Sequence, residues 1–183
     1  MPIHAHEGID PGQLLGVPEG TRTTSTADAP TIAYGYRRQL LPIAWRVRAA
    51  DSDRHRASAI VSQPFSLDGH EPLGDRITVA NARGHTRVAE PRITYHKADK
   101  DFEIVWTRRS RSGGCPAAQI YRSTLTVPWR ASDTEKLSDP TDPSRWPPDA
   151  NGCRPFPHRP TLAPSERVLY LWERAPYALG AAR

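Results

Sequence analysis

The 183 residues suffice for one domain with a real core. No stretch approaches the ~20 apolar residues of a membrane-spanning helix. Nineteen prolines and twelve glycines argue against long helices and favour short strands separated by turns. The net charge of +5 comes from 22 arginines and three lysines (Lys97, Lys100, Lys136) interleaved with 20 acidic residues. Apart from a short cluster at Arg108, Arg109 and Arg111, the arginines form no stripe and belong to no nucleic-acid motif, so nucleic acid is not an expected partner. A coding bias towards arginine accounts for the excess.

Residues 1–29 are polar and turn-rich and read as an N-terminal extension. His4 and His6 have the i, i+2 spacing that puts two side chains on one face of a strand, the only metal-like pair in the chain. Without further histidine and aspartate ligands they are a secondary candidate, and no cofactor is expected. Met1 to Gly16 lacks a basic segment followed by an apolar one, so no signal peptide is visible.

From residue 30 the chain repeats itself. Pro30-Thr31-Ile32-Ala33-Tyr34 followed by Leu41-Pro42-Ile43-Ala44-Trp45-Arg46 predicts two strands and a turn. Residues 57–66 predict a third strand, in which Pro64 marks an edge or a bulge, and Arg76 to Ala80 a fourth. A second copy runs over 91–125: Pro91-Arg92-Ile93-Thr94-Tyr95, then Phe102-Glu103-Ile104-Val105-Trp106-Thr107-Arg108, then a third strand over 118–125. Residues 126–159 are rich in Pro, Asp and Ser and predict an irregular insertion. A partial third copy occupies 160–183, with Pro160-Thr161-Leu162 and then Val168 to Arg174, and no third or fourth strand is expected there. Trp45, Trp106 and Trp172 stand 61 and then 66 residues apart and are expected to be packing residues.

The pattern Pro-x-Ile-Ala-Tyr, x-Ala-Trp-Arg, Ser-Gln-Pro-Phe-Ser-Leu-Asp-Gly-x-Glu-Pro-Leu-Gly-Asp resembles the blade repeat of secreted bacterial β-propeller proteins. Those repeats read P-x-I-A-Y, V-V-W, I-Y-x-Q-x-F, D-x-x-G-x-P-L-G. The resemblance covers residues 30–80 well, residues 91–125 without the last turn, and two strands of the third copy. It implies an all-β fold of about two and a half antiparallel, four-stranded blades, with a compact β-sandwich as the alternative. It also implies a secreted or cell-surface location. Such a chain either belongs to a larger propeller or associates with itself through exposed blade edges.

Two functions follow as expectations. One is a non-catalytic binding module for glycans or other surface polymers, contacting them through Trp129, Arg130, Trp146 and Arg154 of the irregular segment. The other is a fragment of a propeller-type glycoside hydrolase, for which Asp28 and Glu90, just ahead of the repeat prolines, are the best carboxylate pair. Cys115 and Cys153 lie beside Gly and Pro and read either as one disulfide across the irregular segment or as two free thiols.

Overall fold

A computed structural model describes residues 24–50, 57–69, 71–112, 115–138, 157–163, 169–174 and 178–182. The described residues contain no helix, and all their regular structure is antiparallel β. The first sheet contains β1 (Thr24–Ile32), β2 (Leu41–Ala50), β3 (Ser58–Phe65) and β4 (Ile77–Ala82), hydrogen-bonded in that order. The second holds β5 (Thr86–His96), β6 (Asp101–Ser112), β7 (Cys115–Thr126) and β8 (Arg130–Ala131), with β9 (Glu135–Lys136) also pairing with β7. The third is β10 (Pro157–Ala163), β11 (Leu169–Arg174) and β12 (Ala178–Ala182). Each sheet is a meander in which sequence neighbours are spatial neighbours, the simplest result of short strands joined by turns.

The copies seen in sequence share a backbone irregularity. In β1 the register with β2 shifts between Asp28 and Thr31, in β5 the register with β6 shifts between Ala89 and Arg92, and in β10 the register with β11 shifts between His158 and Thr161. The two residues left over are Ala29-Pro30, Glu90-Pro91 and Arg159-Pro160, each opposite the repeat tryptophan of the partner strand. Proline has no N–H to donate, so it is tolerated where the ladder is already broken. The positive-φ residues other than glycine obey the same repeat. Ala29 (52°) corresponds to Glu90 (56°) at the bulge, and Gln39 (51°) to Lys100 (60°) in the following turn. Left-handed backbone is costly for such side chains, so its recurrence at matched positions marks a shared geometry.

The sheets pack face to face in chain order. β5 contacts all four strands of the first sheet, and β10 contacts β5, β6 and β7. Between the first two sheets lies the main core. Ala33, Ala44, Ile60, Val79 and Ala82 come from one side, and Ile93, Tyr95, Phe102, Ile104, Trp106 and Leu125 from the other. Small residues of the first sheet face large ones of the second, which keeps the layer dense. Gly35 is the extreme case: a Cβ there would overlap the Phe102 ring. On the opposite face of the second sheet, Val105 and Ile120 pack with Leu137 and with Leu162 of β10. Side-chain oxygens tie the layers together. Val88 N–H donates to Ser58 Oγ at 2.9 Å, and Ile93 N–H donates to Thr31 Oγ1 at 3.5 Å.

Several elements differ from the sequence reading. β1 begins at Thr24, inside the stretch assigned to the extension. Pro64 is not at a bulge: it stands in β3 opposite Pro42, and the β3–β4 irregularity falls between Ile60 and Val61. The segment after Leu125 is not wholly irregular, because it returns twice to pair with β7. The third copy has a third strand, β12, paired with β11 over Ala178–Ala182. Alanine- and glycine-rich, that strand lacks the β-branched signal by which strands are recognised.

Candidate functional site

An open cleft of about 290 Å3 lies between β4 and the second sheet. Trp106 and Tyr121 form its floor, stacked with ring centroids 6.2 Å apart and planes 17° from parallel. They are brought together by register, since Trp106 of β6 is the direct partner of Tyr121 of β7. Arg108 follows two residues after Trp106, so strand alternation puts its guanidinium on the same side. It lines the cleft, is exposed, and forms no ion pair with a described residue. Thr78 and Asn81 of β4 and Thr134 from the β8–β9 connection supply polar walls. The Tyr121 hydroxyl donates to Gln119 Oε1 at 2.5 Å.

With Trp106 buried behind it, the half-buried Tyr121 offers the ring surface of the cleft, Arg108 can donate charge-assisted hydrogen bonds, and the hydroxyl and amide groups can both donate and accept. None of the described lining residues is a carboxylate, histidine or cysteine, the groups suited to proton transfer near neutral pH. Among the described residues no cluster of three or more His, Cys, Asp or Glu could hold a metal ion.

Asp28 and Glu90 are each engaged by an arginine of their own sheet. The Asp28 carboxylate receives Arg46 Nε at 2.5 Å and Nη2 at 2.6 Å, and Arg48 Nη2 at 2.5 Å. The Arg46 hydrogen bonds hold its pKa below the usual aspartate value against the opposing effect of burial, and the charges of Arg46 and Arg48 lower it further. A carboxyl so held does not serve as a proton donor near neutrality. Glu90 accepts from Arg109 Nη2 and, at 2.9 Å, from Thr107 Oγ1. The two carboxylates do not occupy equivalent places: Glu90 is the first bulge residue, matching Ala29, whereas Asp28 precedes its bulge and matches Ala89.

Of the expected contact residues, Trp129 and Arg130 are described, and neither lines the cleft. Trp129 packs its ring edge-on against Phe102 at 5.7 Å, at the end of an aromatic row that runs through Tyr95 to Tyr36. Its indole N–H is buried and has no protein partner among the described residues. Arg130 is exposed and donates from Nε to Thr126 Oγ1 at 3.2 Å. Trp146, Arg154, His4, His6 and Cys153 lie outside the described residues, as does the Cys115 side chain, and no disulfide is formed among the described residues. Of the tryptophans expected to pack, Trp106 is 1% exposed in the main core, Trp45 is half-buried, and Trp172 takes the matching place on β11 by register. Sequence reasoning placed Trp106 and Arg108 on one face but missed Thr78, Asn81 and Thr134. Nothing local in their sequence reveals that a cleft lies between β4 and the second sheet.

Fold and site together define an all-β protein of stacked antiparallel meanders with an aromatic-floored, arginine-bearing cleft between two of its layers. No protein-family model, no curated protein and no solved structure matches this chain.

Proposed function

We propose that the chain is a non-catalytic binding module built from propeller-type blades, and that it takes a ring-bearing, polar or acidic ligand such as one unit of a glycan or other surface polymer. The shared bulge, the shared left-handed residues and the tryptophan opposite each bulge support the blade reading. The observation that carries the binding reading is the cleft itself, in which the stacked Trp106–Tyr121 pair adjoins an exposed Arg108 that forms no ion pair with a described residue. Its volume of about 290 Å3 lies at the small end of ligand sites, which suits a single unit of a polymer and not a large cofactor. The polar walls of Thr78, Asn81 and Thr134 supply the donors and acceptors that sugars demand.

Titration calorimetry and array binding with neutral and uronic-acid glycans test this reading. Binding that prefers acidic glycans and is lost in Arg108→Ala, with the thermal melting point unchanged, is the expected outcome. Failure to bind any glycan, or binding that Arg108→Ala and Asn81→Ala leave intact, overturns it. Trp106 is avoided as a probe because its removal disturbs the core as well as the cleft.

A further inference from the structure

Four residues form a square across β6 and β7: Trp106 is paired with Tyr121, and Arg108 with Gln119. Their side chains share one face of the sheet, because strand residues two apart point the same way. The bulge fixes the correspondence between copies, so the first sheet has Trp45 paired with Val61 and Val47 with Ala59 at these places. Val47 and Val61 are buried there. The third sheet pairs Trp172 with Gly180 and Arg174 with Ala178 at the same register positions. Of the three sheets, the second alone combines Arg, Gln and Tyr around the repeat tryptophan. Packing does not ask for these polar groups, since the first copy fills the same positions with apolar side chains.

Arg108 also has unlike surroundings from other strand arginines. Arg46 and Arg48 meet Asp28 of the neighbouring strand, Arg109 meets Glu90, and Arg122 meets Glu135. Arg108 instead has Val88 as its partner on β5 and Gln119 as its partner on β7, and neither carries a charge to neutralise it. Gln119 is half-buried, and its Oε1 accepts the Tyr121 hydroxyl at 2.5 Å. That bond fixes which end of the amide is spent, and leaves Nε2 with two N–H groups as the donor end. Cross-strand partners stand about 5 Å apart at Cβ, so a guanidinium and a carboxamide donor on such a pair can meet the two oxygens of one carboxylate. We propose that Gln119 is a specificity-determining residue of the cleft: with Arg108 it holds the carboxylate of a uronic-acid unit, and the Tyr121 hydroxyl positions its amide for that contact. The inference rests on the binding reading of the cleft and adds a residue at its edge and the chemical group recognised there.

The test compares a glucuronic-acid oligosaccharide with its methyl ester, which differ in the charge of the carboxyl group, by titration calorimetry on the full chain. Gln119→Glu keeps an acceptor for the Tyr121 hydroxyl and puts a negative charge where the donor stood. Gln119→Met removes the amide at similar volume and serves as the second probe should Gln119→Glu fold poorly, and circular dichroism melting checks both. The wild type should prefer the acid to the ester. Gln119→Glu should weaken acid binding roughly tenfold or more and leave ester binding within about twofold, so that the preference disappears; Gln119→Met should lower the same ratio by a smaller factor. A residue that only supported the fold would weaken both ligands alike. Folded Gln119→Glu and Gln119→Met variants that keep the wild-type ratio, while Arg108→Ala loses it, overturn the role of Gln119 and leave the binding reading standing. A wild type that binds acid and ester equally well also overturns the inference alone, and a wild type that binds neither overturns it together with the reading beneath it.

Discussion

Trp45 and Trp106 have the same local sequence role and unlike surroundings. Each stands opposite an X-Pro bulge, on the second strand of its sheet, beside a matched isoleucine on the first. Trp106 has a neighbouring sheet across its face and is 1% exposed, whereas Trp45 faces outward and is half-buried. The repeat places a tryptophan opposite each bulge, and for Trp45 and Trp106 position in the stack decides how much each contributes to stability. In energetic terms the inner repeat is core, and the outer one leaves part of the same face exposed.

The largest effects should break this comparison if it is wrong. Trp106→Ala empties a fully buried site and should destabilise by about 3–5 kcal/mol in chemical denaturation. Trp45→Ala in dilute solution should cost about 1–2 kcal/mol, since less surface is lost from the interior. Equal losses would mean that the first sheet's outer face is as covered as the second's. Next comes Gly35→Ala, which forces a methyl group against the Phe102 ring and should cost about 1–3 kcal/mol with the fold retained.

A smaller effect is expected at Asp28. Its pKa is depressed in the folded state by Arg46, so its contribution is present above the ordinary aspartate range and is lost as pH falls through the depressed value. Asp28→Asn should lower stability by about 1 kcal/mol at neutral pH, and the gap from wild type should close in strong acid. The smallest effect has the opposite sign. The Tyr95 hydroxyl is buried without a protein partner among the described residues, so Tyr95→Phe should hold or raise stability, by under about 1 kcal/mol, in a calorimetric melt.

The strands of the two full copies were legible because alternating apolar residues and tight turns leave a local record. β5, β6 and β7 lie over the predicted segments and extend beyond them by several residues. The bulge was foreshadowed by the recurring proline, since a residue without a donor has few places in a sheet. What stayed hidden depends on contacts between distant segments. The burial of Trp129 rests on Phe102, which stands far away in sequence, and β8 and β9 are two-residue strands placed by pairing with β7, with Ala131 of β8 also packed on the main core. Asp28 and Glu90 stand two residues and one residue ahead of a repeat proline, and the bulge keeps them one place apart, with Asp28 held by Arg46 and Arg48 and Glu90 by Arg109. The cleft was hidden for the same reason: Thr78 and Asn81 are ordinary strand residues until β4 is set against β6 and β7.

The central claim is that one repeated face is closed in the second sheet and open in the first. Hydroxyl-radical footprinting read by mass spectrometry measures this directly, comparing Ile32, Tyr34 and Trp45 with Ile93, Tyr95 and Trp106 in one sample. Tyr34 and Ile32 should label strongly and Trp45 to an intermediate extent, while Ile93, Tyr95 and Trp106 stay protected. Equal protection of both sets at high dilution would contradict the account.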